Sequence, residues 1–390
     1  MAFEMLFFIL LLVVFIFLVS EKIGHERRLK RIPIRIHVNG TRGKSNVTRL
    51  VAAALRRSGV RTLGKTTGTA PRLIMPDGSE RVIRRWGPAN ILEQIKTVRV
   101  ADQLKAEAIV IECMALDAAL QFVSETKMIR ATIGVITNVR PDHFEVMGET
   151  LDDIAEALSG TIPENGTLIT GDSRYASFFA EVASGKSTRA GLAEGDDTAA
   201  AASPQGRFLF PENIAIARAV VSLLGRDPAA VSACLEEALI QRESAGVSRV
   251  SIGKREVHFV DAFSANDVCS TRIIEEKALA SLRCPGPRVA LFNNRADRPL
   301  RMKTFAASLL ADPLYDYVAV IGECRRLAGR FIRRETPDGQ IFILDGSTPA
   351  GMLSELFAKI PDREFTIVGM GNEKGAGRLV AEYLGEASLR

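Results

Sequence analysis

The stretch that decides the fold runs from residue 34 to residue 59, IRIHVNGTRGKSNVTRLVAAALRRSG. Its first five residues alternate apolar and polar side chains, the period of a strand. Val47, Leu50, Val51, Ala54 and Leu55 then recur at i, i+3, i+4, i+7 and i+8, one face of a helix that Gly59 closes. Between them lies Gly40-Thr41-Arg42-Gly43-Lys44-Ser45. Strand, glycine turn and helix form the context in which backbone N–H groups and a helix N-terminus point at phosphate. Lys44 adds a positive charge, and the Ser45 hydroxyl is placed to hold Mg²⁺. The longer form of this loop, G-x-x-x-x-G-K-[ST], needs glycine at position 38, where this chain has Val38. The loop is the shorter G-T-x-G-K-S, and nucleotide binding is the expectation.

Outward from the loop, residues 108–112 (AIVIE) and 133–138 (IGVITN) are short apolar runs of the kind buried parallel strands show. Residues 151–158 and 214–224 carry helical periodicity. The alternation predicts a doubly wound α/β body with a parallel sheet. Residues 184–206 are small and polar and read as a surface excursion or mobile loop. After Arg242 a second α/β series begins, with strands expected at 257–261, 288–292, 317–321, 341–345 and 364–368. The expected organisation is a transmembrane anchor at 1–22, an ATP-binding α/β domain at 32–241 and a Rossmann-like α/β domain at 242–390. A cleft between two such domains would host ligands.

With 47% apolar and 25% charged residues in 390, the chain is neither disordered nor a multi-span membrane protein. A net charge of +5 is too weak a bias for nucleic acid, and no basic-aromatic interleaving appears, so no nucleic-acid partner is expected. Five widely spaced cysteines without a C-x-x-C pair exclude a disulfide framework and a zinc site, and fit a reducing compartment. Residues 5–19, MLFFILLLVVFIFLV, have no polar member. Glu4 precedes them, no A-x-A site follows, and Lys22, Arg27, Arg28, Lys30 and Arg31 come next, so a membrane anchor is expected rather than a cleaved signal. The positive-inside tendency places the N-terminus outside the cell membrane and residues 21–390 in the cytoplasm. A single span also implies other membrane subunits as partners.

Glu112 ends the run AIVIE, and Asn138-Val-Arg-Pro-Asp-His143 follows IGVIT, both at strand ends where an α/β sheet places ligands. With Ser45, Glu112 and His143 would make an open magnesium shell completed by phosphates and water. Histidine is an unusual Mg²⁺ ligand, so a core role is the competing reading of His143. His25, His37 and His258 are read as structural.

In this order, the G-T-x-G-K-[ST] loop, the strand-end Glu and the N-x-x-x-D-H motif resemble the Mur ligase superfamily, folylpolyglutamate synthase included. The resemblance implies that Asn213 in PENIAIAR, Arg242 in LIQRE and Asp261 in FVDAF hold adenine, phosphate and ribose, Arg242 at the hinge between domains. Within the superfamily the chain looks most like the ligases that make poly-γ-glutamate capsules. That likeness rests on VNGTRGKSN at 38–46, KTTGT at 65–69, ECMA at 112–115, TNVRPDH at 137–143, FNNR at 292–295 and the N-terminal apolar segment. Only about forty residues precede the loop, mostly anchor, so the nucleotide-sugar domain of muramyl ligases has no counterpart and a UDP-linked substrate is not expected. The carbamylated lysine of the superfamily has no counterpart between residues 144 and 170, where Ser159 falls near its place. Either another ligand substitutes or one Mg²⁺ suffices.

The resemblance implies ATP-dependent amide formation from glutamate and a growing poly-γ-glutamate chain through an acyl phosphate. Lys44, Glu112, His143 and Arg242 would be the catalytic set and residues 40–45 the phosphate cradle. Arg295 and Arg298 are candidates for carboxylate recognition, because a guanidinium fork matches a carboxylate; an exposed polar loop is the alternative. The glycine-rich run at 369–377 reads as loop chemistry near the cleft rather than a second nucleotide site. Two rival functions remain open, a subunit that hydrolyses ATP only to gate polymer export and a freestanding amino-acid ligase. A homo-oligomer is also left open.

Overall fold

The alternating run of residues 34–38 is part of β1 (Ile34–Asn39), whose last four residues are fully buried. Both its neighbours run parallel to it: β5 (Ala108–Glu112) on one side and β6 (Ile133–Ile136) on the other. A strand covered on both edges and both faces needs apolar side chains at nearly every position, which explains the unbroken runs at 108–112 and 133–136. The computed structural model of the chain describes residues 2–68, 71–194, 210–235, 246–281, 286–336 and 340–387. They fall into two compact units that divide after residue 235.

In the first unit, eight strands form one sheet in the order β4-β3-β2-β5-β1-β6-β7-β8. The remaining strands are β2 (Thr62–Thr66), β3 (Arg72–Ile74), β4 (Glu80–Val82), β7 (Thr167–Thr170) and β8 (Arg189–Leu192). From β1 the chain passes through α2 (Lys44–Arg57) to β2 on one side, and from β6 it moves on to β7 on the other. The carboxyl ends of β1 and β6 therefore flank a topological switch point, where open α/β sheets bind ligands. Further helices are α3 (Glu93–Gln103), α4 (Ala118–Val123) with a π-helical turn at Ser124–Ile129, α5 (Phe144–Met147), α6 (Leu151–Ser159), α7 (Ala176–Gly185) and α8 (Pro211–Leu223). The core strands run parallel as expected, with β3 added antiparallel to β2 and β4 antiparallel to β3 at one edge. One expectation is corrected. Residues 189–192, within the expected surface excursion, pair with β7 as a parallel edge strand. Their side chains are mostly exposed, so no apolar run marks them; residues 195–206 lie outside the described residues.

The apolar N-terminal segment is part of α1 (Ala2–Arg31), one unbroken helix of 30 residues. Its side chains from Phe3 to Val19 are exposed, and it is long and apolar enough to cross a membrane. The same helix continues into the core of the first unit. Leu29 is buried with Val98 and Ala101 of α3, His25 Nε2 lies 2.8 Å from the Met128 carbonyl oxygen, and Arg31 forks onto Asp102 at 2.6 and 2.7 Å.

The second unit holds a six-stranded sheet, β13-β12-β11-β14-β10-β9. Its strands are β9 (Gly246–Ile252), β10 (Arg255–Asp261), β11 (Arg288–Asn294), β12 (Tyr317–Gly322), β13 (Gln340–Ile343) and β14 (Glu364–Gly371). Among the described residues only β9 is antiparallel; it was not expected, since its side chains are largely half-exposed. β13 stops two residues short of the expected end at Asp345, and β14 extends three beyond Val368. The proposed domain boundary at Arg242 lies outside the described residues.

All three histidines read as structural are buried: His37 Nδ1 meets Glu125 Oε2 at 2.8 Å and His258 Nε2 meets Glu364 Oε1 at 3.0 Å, besides the His25 contact. Burial alone would lower the His37 imidazole, but the Cys113 thiol and the Glu125 carboxylate outweigh it and push the group up to about 9. A group raised on folding stabilises the fold fully below its unfolded value, near 6.5, and loses that contribution as pH rises through the folded value. Stability should therefore fall between pH 6.5 and about 9 by on the order of 3 kcal/mol. Denaturant titrations across this range check it, and H37Q should remove most of the slope.

Candidate active site

The turn after β1 is forced by two glycines. Gly40 has φ +125°, and a Cβ there would collide with the Thr137 side chain and lie 2.8 Å from its backbone nitrogen. Gly43, φ +82°, is the N-cap of α2, and a Cβ there would collide with the Asn213 carboxamide. Only glycine adopts such angles while allowing so close an approach.

Asn138 holds the loop from the β6 side. Its side-chain oxygen accepts the Arg42 N–H at 3.0 Å and the Thr41 hydroxyl at 2.8 Å, and its carbonyl accepts the Thr41 N–H at 3.0 Å. The Thr41 hydroxyl in turn accepts the Arg140 N–H at 2.9 Å, and Thr137 Oγ1 donates to the Arg42 carbonyl at 2.6 Å. Two of the loop's N–H groups are thus used internally. The first-turn N–H groups of α2, which no intrahelical carbonyl can accept, are its remaining phosphate-facing donors. Lys44 folds back over the turn and donates to the Gly40 carbonyl at 2.5 Å.

Ser45 and Glu112 meet at the loop's mouth. The Ser45 hydroxyl donates to Glu112 Oε2 at 2.8 Å, and the same oxygen accepts the Thr67 N–H at 2.8 Å. Glu112 is only 3% exposed. Its placement follows from register, since Val38, two residues before Gly40, pairs with Glu112. His143 sits in the left-handed region at the start of α5, with φ 46°. Its ring faces Glu145 at 3.4 Å and Asp142 at 3.8 Å, and its side chain is 18% exposed, so it is not a core histidine. The structure therefore joins Ser45 to Glu112 and sets His143 beside Asp142 and Glu145 of its own loop. Among the described residues, no three His, Cys, Asp or Glu side chains form a ready-made metal cluster. The Ser45–Glu112 pair nevertheless offers hard oxygen donors, the chemistry that suits a divalent cation shared with phosphates.

Three features escaped sequence reasoning. Lys65, inside the quoted KTTGT run, is completely buried with Nζ 3.5 Å from Glu93 Oε2. Burial pushes its ammonium below the usual range, against the pull of Glu93 and Glu112. Glu212 reaches back from α8 to accept Arg140 Nη2 at 2.6 Å and Asn138 Nδ2 at 3.4 Å. Arg42 is paired with Asp142 at 2.9 Å, tying the phosphate loop to the D-H motif. A β-strand lysine with no apolar neighbour on either side was the one available signal for the first; the others join residues about seventy to a hundred positions apart.

Asn213, read as an adenine contact, lies buried against Gly43, and neither polar atom of its side chain has a hydrogen-bond partner among the described residues. Asp261 ends β10 and accepts the Phe263 N–H at 3.2 Å. Arg295 pairs with Asp297 at 2.6 Å, and Arg298 approaches the same carboxylate at 4.0 Å. Asn293 at the end of β11 donates to the Asn372 and Lys374 carbonyls, so the glycine-rich run at 369–377 is the tail of β14 and the turn fastened to it. Arg242 lies outside the described residues.

Residues 38–227 match the Mur ligase middle domain. Two solved structures share the fold: a bifunctional folylpolyglutamate synthase/dihydrofolate synthase with Mn, AMPPNP and L-glutamate bound (TM-score 0.61, 16% identity, 93% of this chain and 91% of that one) and MurF from Acinetobacter baumannii (TM-score 0.62, 16% identity, 95% and 80%). The chain is thus an ATP-dependent ligase of the Mur ligase fold. Residues 247–387 match the poly-gamma-glutamate synthase CapB C-terminal domain. Similarity extends over 99% of the chain to the capsule biosynthesis protein CapB of Bacillus anthracis (33% identity, 84% of that protein). It extends over 95% of both chains to the PGA synthase CapB of Bacillus subtilis (32% identity). The chain belongs to the CapB family of poly-γ-glutamate synthases.

The two glycine constraints make a differential prediction. G40A should cost about 3 kcal/mol and abolish binding of an ATP analogue, since both the angle and the Thr137 contact oppose it. G59A, also at positive φ but with nothing within 4 Å, should cost about 1 kcal/mol and leave binding intact. Melting curves and a fluorescent-nucleotide titration separate the two outcomes.

Proposed function

We propose that the chain joins glutamate into poly-γ-glutamate at the membrane, activating a carboxylate with ATP. The observation that carries this reading is the Ser45–Glu112 hydrogen bond at the mouth of the phosphate loop, in a chain of the CapB family. Both relatives are named for capsule or PGA synthesis, and a structural neighbour holds AMPPNP, Mn and L-glutamate.

A carboxylate oxygen of glutamate, or of the growing chain, attacks the γ-phosphorus of ATP. The bond to the β,γ-bridging oxygen breaks and ADP leaves, giving an acyl phosphate. The nitrogen of an incoming amino group then attacks the acyl carbon, phosphate departs with its oxygens, and the amine loses a proton. Attack of one anion on another is opposed by charge, so the site's work is electrostatic. Lys44 exchanges the Gly40 carbonyl for phosphate oxygens, and the first-turn N–H groups of α2 receive the same anion. Ser45, Glu112 and His143 are the residues that would hold Mg²⁺, which when bound offsets phosphate charge as a Lewis acid. Asn213, Arg242 and Asp261 are proposed for nucleotide contacts, and Arg295 and Arg298 for substrate carboxylates. Residues 1–22 anchor the chain in the cell membrane, with the body on the cytoplasmic side beside other membrane subunits.

Membranes carrying the full chain and its partner subunits, given ATP and glutamate labelled with ¹⁸O in its carboxyl groups, test the reaction. Label appearing in released phosphate while polymer lengthens is the expected result. ATP hydrolysis without labelled phosphate or polymer would instead make the chain a gate for export. K44A should lower synthesis by about a hundredfold or more without changing the melting temperature. E112Q and H143A should each raise the metal concentration needed for half-maximal rate, and an H143A chain unaffected by metal would remove that residue from the set.

A further inference from the structure

The first unit carries an exposed aromatic-basic loop on the side from which α1 leaves, and we infer that this loop, residues 81–92, is a second contact with the bilayer, seated among anionic phospholipid headgroups. The inference rests on the membrane-anchor reading of α1.

Direction is set by two ion pairs. Arg31 of α1 pairs with Asp102 of α3, and Glu21 pairs with Arg99, one turn nearer the N-terminus of α3, at 2.9 and 3.0 Å. The pairs follow the same order on both helices, so α1 and α3 run in the same sense. The reverse sense would separate Glu21 and Arg99 beyond the reach of their side chains. Following α1 back toward Ala2 therefore leads toward the start of α3 at Glu93. From Arg99 to Glu93 is six residues, about 9 Å of helix, and the apolar stretch of α1 begins about 3 Å beyond Glu21. Counted from Arg31–Asp102 instead, Glu93 falls about 4.5 Å short of Val19, so the loop that precedes α3 stands level with the start of the apolar stretch.

That loop is built to present, not to bury. Arg85 forks onto Glu93 at 2.6 and 3.1 Å, and Ile91 packs in the same core cluster as Leu29 of α1, which fixes its base. Above the base, Trp86 has a relative exposure of 105%, and Val82 and Leu92 are also exposed. Arg81 and Arg84 are exposed beside them. A soluble surface gains nothing from a fully exposed tryptophan. At a membrane interface its amphipathic ring sits at headgroup level, and neighbouring arginines are drawn to an anionic leaflet. Val82 and Leu92 supply apolar contact below. Continuity with the apolar stretch of α1 and the sign of the charge favour lipid over other occupants.

Trp86 is the only tryptophan in the chain, so its native fluorescence reports on this loop alone. The full chain is reconstituted into vesicles of phosphatidylcholine with or without phosphatidylglycerol, and into vesicles whose lipids carry bromine high on the acyl chain. Alkaline washing of the same vesicles reports separately on α1. Retention after washing, together with a blue-shifted Trp86 emission that shallow bromines quench, is the expected result. The quenching should be strongest with phosphatidylglycerol, and R81Q/R84Q should lower it to the phosphatidylcholine level. Retention with an unquenched, water-like emission overturns the loop contact and leaves the anchor standing. Release on washing overturns the anchor reading and this proposal with it. An emission that responds to added poly-γ-glutamate in detergent but not to lipid makes the loop a polyanion contact, and the proposal fails.

Discussion

One carboxylate oxygen, Glu112 Oε2, accepts a hydroxyl from the first turn of α2 and an N–H from the exit of β2. The ends of β2 and β5 and the first turn of α2 are thereby tied at a single buried anion. A carboxylate at 3% exposure is costly unless its lone pairs are met and its charge answered. The two donors meet the first need, and the buried Lys65 nearby contributes to the second. Because Glu112 is fixed, Ser45 is fixed, and with it the start of α2 and the turn that a phosphate would occupy. The anion that suits a cation at the site also gives the sheet edge its shape.

The opposite wall of the loop depends on α8. Glu212 and Asn213, adjacent in sequence, act on two parts of one turn: Glu212 holds Arg140 and Asn138, and Asn213 covers Gly43. Asn138 is the common member, accepting from Thr41 and Arg42. A change at the phosphate turn therefore has a short path of hydrogen bonds to α8, and through Arg42–Asp142 to the segment that carries His143. Neither polar atom of the buried Asn213 carboxamide in this wall has a hydrogen-bond partner among the described residues.

How much of this could be read from sequence follows from what each element must bury. β1, β5 and β6 are covered on both faces, so their apolar runs were plain, and the glycine turn between β1 and α2 carries its own chemistry. β2, TLGKT, is as deeply buried as β5, yet a lysine and a glycine hide it. Its lysine is tolerated only because Glu93 arrives from α3, a partner 28 residues away that no local period announces. β8 and β9 escaped for the opposite reason: edge strands expose their side chains and need no apolar pattern. At the site, Ser45 and Glu112 were legible because strand ends are predictable places. The web of Asn138, Arg140 and Glu212 was not, since polar side chains meeting across tertiary distances leave no periodic trace.

The unbroken course of α1 bears on how this chain tolerates change in length. A flexible tether is indifferent to one residue more or less. In a helix whose last two turns are locked into a core by Leu29, His25 and Arg31, an inserted residue near Ser20 would rotate everything before it by about 100° and lift it about 1.5 Å. Whatever the apolar face of residues 3–19 meets, it meets it in a fixed phase relative to the phosphate loop. Deletions or insertions there act as a screw thread, returning to register only after seven residues or two full turns.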